Sequence, residues 1–290
     1  MGLKAKFNLV ILAAFVVGLA LTAGFSWRIA HENARQEVLQ QASIMLASAI
    51  AVRDYTDSEI APVLASQNQA RFLPQTIPFF AATTNMHALT KKFPDYTYKE
   101  AALNPTNPAD KAVDWEAAII DQFSQRPTLM TLISTRDTPD GPVLSIARPI
   151  RISDKSCLEC HSTPQAAPQS MVDLYGSNNG FGWTLGSVQG AQIVSVPMSV
   201  ALDRARDTFL VDVGGLAVIL GITLLLLNLL LHFVVIRPIR TMSALAADIS
   251  TGNTDAPEFA VKGRDEIASL AASFNRMRRS LASAIKLLES

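Results

Sequence analysis

The sequence predicts an α+β domain that lies between two transmembrane helices and precedes a helical tail. Two uncharged apolar runs, a stretch of alternating residues between turn signals, and a heptad pattern near the C-terminus carry this prediction. The chain has 290 residues, of which 49% are hydrophobic and 17% are charged, a composition that excludes a wholly disordered chain. Its 25 basic and 25 acidic residues balance, so the net charge does not indicate a nucleic-acid partner.

The two apolar runs are each long enough to cross a bilayer. Phe7–Trp27 contains 21 residues without a charge, and Val213–Ile236 contains 24. About 20 helical residues span the ~30 Å hydrocarbon core, so we expect transmembrane helices at residues 7–27 and 209–236. A cleaved signal peptide is the alternative for the first run, although its apolar segment would be unusually long.

The charges beside these runs predict the orientation of the chain. Lys4 and Lys6 precede the first run, and Arg237 and Arg240 follow the second. Because positive charges are retained on the cytoplasmic side, we expect both termini in the cytoplasm of a bacterial cell, with the spans in the inner membrane. The residues before the first run then form a cytoplasmic N-terminus, and residues 28–208 form a periplasmic domain.

The outer domain is predicted to begin with helices and to end with an antiparallel sheet. The first helix continues beyond the membrane without a breaker until Pro62. Further helices are expected over Phe79–Thr90 and Asp114–Phe123, the second with Trp115 and Ile119 on its buried face. Strands are expected at residues 129–135, 143–152 and 189–197, and a turn-rich segment joins the first two as a hairpin. This order of elements is typical of a PAS-like α+β sensor domain.

One short motif in this domain indicates chemistry. The segment Cys157-Leu158-Glu159-Cys160-His161 is the C-x-x-C-H signature of c-type haem attachment. Two thiols three positions apart on a helical turn reach the two vinyl groups of one haem, and the next residue supplies an imidazole to the iron. Because Cys157 and Cys160 are the two cysteines of the chain, we expect one covalently attached haem c with His161 as the proximal iron ligand.

Three alternatives compete with haem at this motif. A structural zinc ion needs two further ligands, and His31 and His87, the other histidines of the outer domain, have no metal-like spacing. A thioredoxin-like redox pair normally follows a strand of a βαβ unit, which the residues before the motif do not indicate. A plain disulfide leaves His161 without a role.

The sequence leaves the sixth iron ligand open. A thiolate is excluded because the chain has no third cysteine. His87 is the favoured candidate, since it lies on a predicted helix after a pair of aromatic residues, and Met86 is the main alternative. Met130, Met171 and an open coordination position are the remaining possibilities for the sixth ligand position. Arg148 and Arg151, just before the motif, are candidates for pairing with the haem propionates, or they are solvated strand charges.

Several segments of the outer domain resemble a known family. They are Tyr98–Pro108, Ala147–Ile150, the C-x-x-C-H motif and Gly180–Trp183. Together they are similar to the periplasmic c-type haem sensor domain of bacterial chemoreceptors and sensor kinases. The resemblance covers about residues 30–200 and implies a PAS-like core, with Cys157 and Cys160 as haem anchors and His161 as the proximal ligand. It assigns no distal ligand, because the cysteine that some members would use has no counterpart here.

The tail at residues 237–290 has the pattern of two short helices joined by a connector. The second helix carries an unbroken 3-4 alternation of apolar residues: Ile267, Leu270, Phe274, Met277, Leu281, Ala284 and Leu288. Together with Pro238 directly after the membrane span, this pattern resembles a HAMP linker, which implies a parallel four-helix bundle in a homodimer. An amphipathic helix on the membrane surface is the alternative. We expect the output to belong to a partner such as a cytoplasmic kinase or cyclase, or the chain to have been shortened.

These features predict a membrane-bound signal transducer and not an enzyme, since no nucleophile motif is evident. A change at the haem iron, either in redox state or in a bound diatomic gas, would reshape the outer domain and reach the partner through the HAMP linker. A membrane-anchored monohaem cytochrome that transfers electrons is the alternative, and it leaves the heptads unexplained. A structural haem beside a sensor site for another small molecule is a third hypothesis.

Overall fold

The computed structural model of this chain describes residues 2–251, 253, 257–259 and 263–288. It divides into two compact units, one formed by Trp27–Thr208 and the other by Met1–Ser26 with Phe209–Ser290. We call the first unit the outer domain. The side chain of Leu288, the last position of the predicted seam, lies outside the described residues.

Helices make up the first third of the chain, as predicted. Helix α1 (Leu3–Tyr55) is unbroken, so it contains the first apolar run and continues into the outer domain. A π-helical turn at Thr56–Ile60 ends it just before Pro62, whose ring and missing N–H disfavour a continuing α-helix. The other helices of the outer domain are α2 (Ala61–Val63), α3 (Ala65–Ala70), α4 (Pro78–Thr90), α5 (Asp114–Gln125), α6 (Ser156–His161) and α7 (Gln169–Tyr175).

Four antiparallel strands form one sheet in the order β1-β4-β3-β2, which confirms the α+β class. The strands are β1 (Thr97–Ala102), β2 (Leu132–Thr138), β3 (Gly141–Arg151) and β4 (Val188–Pro197). The sequence predicts three of them and misses β1, because Lys99 and Glu100 interrupt the apolar alternation that marks a strand. The start of β2 is also shifted from the predicted residue 129, since Leu129 belongs to a turn and donates to the Arg126 carbonyl at 2.9 Å.

Both faces of the sheet are covered by helices. One hydrophobic cluster joins α1 and α4 to residues of β3 and β4, including Val38, Met86 and Val194. A second cluster joins α5 to the opposite face. Ile119 is buried on α5 as predicted, but Trp115 is only half-buried. The centre of its ring lies 4.3 Å from the Arg136 guanidinium, which is a cation–π contact.

A charged residue lies in the core of the outer domain. Glu100 on β1 has an exposed fraction of 1%. Its carboxylate accepts hydrogen bonds from the Arg53 guanidinium on α1 and, at 2.6 Å, from the Tyr98 hydroxyl. Burial raises the pKa of the Glu100 carboxyl, and the charge of Arg53 opposes this rise. The pair therefore joins the long helix α1 to the edge strand of the sheet.

Replacing Arg53 by Met should leave the Glu100 carboxylate buried without a cation, at a cost of about 3–5 kcal/mol in unfolding free energy. Arg35→Met is the matched control, because Arg35 pairs with Glu32 at 4.0 Å on an exposed surface and should cost under about 1 kcal/mol. Urea titration of the detergent-solubilised protein measures both variants. The double variant Arg53→Met, Glu100→Gln should recover part of the loss, and equal effects of the two arginine variants would contradict the buried pair.

The second unit contains the second apolar run. Helix α8 (Ser199–Leu230) passes through a π-helical turn at Leu231–Ile236 into α9 (Arg237–Ser250). Pro238 lies in the first turn of α9, where its missing N–H costs little, and the π-helical turn joins this helix to α8. Two helical segments, Lys4–Val63 and Ser199–Ser250, are long and apolar enough to cross a membrane.

Helix α10 (Glu266–Leu288) packs beside α9 in this unit. Its N-terminus is capped by Asp265, whose carboxylate accepts a hydrogen bond from the Ala268 N–H at 2.8 Å. Asn275 is 5% exposed, and its side-chain amide bonds to both the N–H and the carbonyl of Phe259, at 3.0 and 2.9 Å. These bonds attach the connector to α10.

Candidate functional site

The short helix α6 carries all three residues of the C-x-x-C-H motif. The carboxylate of Asp154 accepts a hydrogen bond from the Ser156 N–H at 2.8 Å at the start of this helix, and this bond lowers the pKa of Asp154. Cys157 and Cys160 are half-buried free thiols that lie three positions apart. One helical turn therefore places both sulfur atoms and the following His161 on adjacent positions of a single surface.

The surroundings of Cys160 favour the protonated form of its thiol. Burial, followed by the negative charges of Glu159 and Cys157, raises the pKa of the Cys160 thiol. Redox pairs and zinc sites instead use thiolates, which need a positive environment or a metal ion. Within the described part of the chain, no group of three or more His, Cys, Asp or Glu side chains could hold a metal ion.

The imidazole of His161 is held in one orientation. Its Nδ1 lies 2.7 Å from the Gly180 carbonyl oxygen, so Nδ1 carries the proton and donates it to this oxygen. The ring also stacks on Trp183, with centroids 3.8 Å apart and planes inclined by 10°. Burial lowers the pKa of His161, and the hydrogen bond to Gly180 opposes this change. The arrangement favours a neutral imidazole whose Nε2 lone pair is available to a ligand.

The glycine-rich segment after α7 closes over the motif. Gly182 and Trp183 donate their backbone N–H groups to the carbonyls of Ser162 and His161 at 3.0 and 3.1 Å. Gly180 is buried with φ +81°, and a Cβ atom placed on it would lie 2.1 Å from the Thr106 Oγ1 atom. Glycine is therefore required at position 180 both by the backbone conformation and by the lack of space.

Comparison with known families identifies the outer domain. Residues 31–197 match the model of the Tll0287-like family, described as Tll0287, and this range is more than half of the chain. The chain belongs to the Tll0287-like family. Residues 230–283 match the model of the HAMP domain, so a HAMP domain follows the Tll0287-like domain.

Two further comparisons complete these findings. A solved structure described as the crystal structure of the cyanobacterial heme-protein Tll0287 is 18% identical to this chain, with a TM-score of 0.39. The alignment covers 52% of this chain and 94% of that protein. No curated protein matches the sequence.

The Tll0287-like domain places the predicted distal-ligand candidates in different environments. Met86 is 1% exposed and belongs to the hydrophobic cluster between α1, α4 and the sheet. The next residue, His87, is exposed on α4. Among the described residues, no hydrogen bond or ring contact joins His87 to His161.

The two predicted propionate partners lie on opposite faces of β3. Arg148 lines an open pocket of about 220 Å³ that is bounded by α1 residues including Leu46 and Ile50. Arg151 instead donates to the carbonyls of Phe123 and Pro127 at 3.3 and 3.0 Å, at the end of α5. The guanidinium of Arg151 is thus engaged within the protein.

The sequence analysis did not single out two residues that contact the motif. Trp183 was named only as the end of the Gly180–Trp183 segment, yet it stacks on His161, and its buried Nε1 atom has no hydrogen-bond partner in the described structure. Asn104 was included only in the Tyr98–Pro108 segment, yet its side chain bonds to the Gly180–Phe181 backbone. A tryptophan and an asparagine far from the motif in sequence give no local signal of either role.

Gly180→Ala should destabilise the protein more than Gly186→Ala. Both positions have positive φ, +81° and +85°, so both variants bear a backbone strain of about 1–3 kcal/mol. No atom lies within 4 Å of a Cβ at Gly186, whereas one at Gly180 would collide with Thr106, which should add about 1–3 kcal/mol. Urea titrations of the two variants compare them directly. Equal losses would show that Gly180 is not packed against Thr106.

Proposed function

We propose that this protein is a haem-based transmembrane signal transducer. Its outer domain carries one covalently attached haem c in the periplasm, and its HAMP domain relays the state of the iron to a cytoplasmic output protein such as a kinase or cyclase. The observation that carries the proposal is the geometry of α6. Two free thiols stand three positions apart beside an imidazole whose Nδ1 is already bonded.

The residues of α6 match the chemistry of haem attachment. Each S–H group adds across one vinyl group: a carbon–sulfur bond forms, the carbon–carbon double bond becomes single, and the thiol hydrogen moves to the other vinyl carbon. The addition needs no oxidant or reductant, because no electron is gained or lost overall. Cys157 and Cys160 then hold the group, and His161 Nε2 is the proximal iron ligand. When bound, the haem would supply a one-electron couple, and it could bind a diatomic gas in place of a distal ligand.

Two neighbouring groups prepare His161 for this role. The Gly180 carbonyl fixes the tautomer and raises the basicity of Nε2, as hydrogen-bond partners of metal-bound histidines generally do. Trp183 limits rotation of the imidazole by stacking on its face. Arg148 is the stronger candidate for pairing with a propionate, because the guanidinium of Arg151 already bonds to two backbone carbonyls.

Expression with a cytochrome c maturation system should yield protein whose mass exceeds that of the polypeptide by one complete haem. The haem should remain attached through denaturing electrophoresis and acid–acetone extraction. Cys157→Ala, Cys160→Ala should abolish attachment, whereas His161→Ala should permit thioethers and change the spin state of the iron. Haem that is removed by extraction from the wild-type protein would contradict covalent attachment.

His87 is the proposed distal ligand. Its exposed imidazole is free to approach an iron atom, whereas the Met86 sulfur would first have to leave a core in which the side chain is 1% exposed. His87→Ala should therefore convert a six-coordinate low-spin absorption spectrum to a high-spin one. His31→Ala, at the other histidine of the outer domain, is the control. A low-spin spectrum that His87→Ala leaves unchanged would move the assignment to another ligand.

The HAMP domain supports a parallel homodimer. Within one chain, α10 buries Ala268 and Ala271 but leaves Leu270, Met277 and Leu281 exposed at 51%, 61% and 45%. These three residues belong to the predicted heptad seam, and an apolar stripe of this width is unfavourable in water. A second copy of the helix would cover it by knobs-into-holes packing. The basic residues beside both spans support cytoplasmic termini and a periplasmic outer domain.

Cysteines at Leu270, Phe274 or Met277 should crosslink between two chains in native membranes, because each seam residue meets its own copy in a parallel dimer. Cysteines at Ser273 and Ser280 are the controls, since both positions are exposed but lie away from the seam. The native thiols are consumed by haem attachment and should not interfere. Similar crosslinking at all five positions would contradict an ordered dimer.

A further inference from the structure

The carbonyl that orients His161 belongs to a segment without regular secondary structure. Gly180 lies between α7 and β4, and its φ of +81° is a conformation that only glycine adopts easily. Such a peptide can rotate at little cost unless other contacts hold it. The direction of the Gly180 carbonyl, and hence its 2.7 Å bond with His161, therefore depends on what fixes this peptide.

A single side chain holds Gly180 from both sides. The Asn104 Oδ1 atom accepts a hydrogen bond from the Gly180 N–H at 3.3 Å, and its Nδ2 atom donates to the Phe181 carbonyl at 3.4 Å. The Gly180 carbonyl lies between these two bonded groups along the chain. Fixing both groups to one planar amide leaves the peptide that joins Gly180 to Phe181 little freedom to turn.

Asn104 is itself attached to the sheet. It follows β1 by two residues, and the Leu103 N–H donates to the Gln189 carbonyl at the start of β4 at 3.3 Å. Pro105 is buried, and Thr106 packs against Gly180 at the position that a Cβ atom would occupy. The side chain of Asn104 therefore extends from a fixed base and not from a second mobile loop.

We infer that Asn104 is a positioning residue that sets the strength of the His161–Gly180 hydrogen bond and, through it, the reduction potential of the haem iron. The inference rests on the proposed function, since it assigns His161 to the iron. A shorter, better directed bond at Nδ1 makes Nε2 a stronger donor, and a stronger donor stabilises the ferric state. Loss of Asn104 should therefore favour the ferrous state.

The test compares Asn104→Ala with Asn107→Ala in the full-length protein. Asn107 is a matched control, because it is the same residue type in the same turn, is exposed, and bonds to its own turn, to the Ala109 N–H at 3.2 Å and to the Asp110 side chain. Asn104→Ser is the second variant for the case that alanine prevents folding. The serine side chain is polar and suited to turns, but it is too short to bond to both the Gly180 N–H and the Phe181 carbonyl.

The first measurement uses haem-free protein that carries Cys157→Ser and Cys160→Ser. Hydrogen–deuterium exchange at residues 180–183 should be about tenfold faster in Asn104→Ala and unchanged in Asn107→Ala, because only the first substitution releases the segment. The second measurement uses the haem-loaded protein. Asn104→Ala should raise the ferrous-to-ferric ratio at a fixed ambient potential by about tenfold, which corresponds to about 59 mV for a one-electron couple.

The outcomes separate the inference from the proposed function. Unchanged exchange at residues 180–183 would overturn the contact between Asn104 and the segment. Faster exchange with an unchanged reduction potential would show that Asn104 is merely structural, and this also overturns the inference. A wild-type protein that acquires no covalent haem refutes the proposed function instead, and it does so independently of the exchange result.

Discussion

The hydrogen bond between His161 Nδ1 and the Gly180 carbonyl is the constraint on which the candidate site depends. It fixes the tautomer of the imidazole and leaves Nε2 as the one ring nitrogen with a lone pair to offer. The bond requires a glycine with positive φ, a tight contact with Thr106 and a closed loop over α6. The conformation of a loop 19 residues from His161 in sequence thus determines the chemistry of the motif.

The same elements connect the site to the segments that leave the domain. Asn104 follows β1, and β1 carries Glu100, whose buried carboxylate pairs with Arg53 on the unbroken helix α1. Strand β4 is separated from α8 by a single residue, so the strand next to β1 continues almost directly into the second apolar helix. A rearrangement at His161 can therefore reach α1 through hydrogen bonds and the Arg53–Glu100 pair, and it can reach α8 through β4. An electron-carrying cytochrome would need neither route nor the exposed seam of α10.

Strong local signals made much of this architecture predictable. The apolar runs, the hairpin and the capped helix α10 each depend on residues that are close in sequence, so periodicity and turn chemistry identify them. Strand β1 was missed because its buried Glu100 is stabilised by Arg53, a partner 47 residues away that no local pattern reveals. The C-x-x-C-H motif was evident from its spacing alone. The roles of Gly180, Trp183 and Asn104 were not, because they arise only when the loop after α7 folds back over α6.

The central claim is that the state of the haem iron controls how the two copies of α10 pack. The most direct measurement is crosslinking of a Met277→Cys variant by a bis-maleimide, which is insensitive to reductant, in lipid nanodiscs. The account predicts that the crosslinking rate changes when the haem is reduced, or when carbon monoxide is added to the reduced protein. The change should disappear in the same variant that also carries His161→Ala. A rate that is the same in the oxidised, reduced and carbon monoxide-treated protein would contradict signal transduction through the HAMP domain.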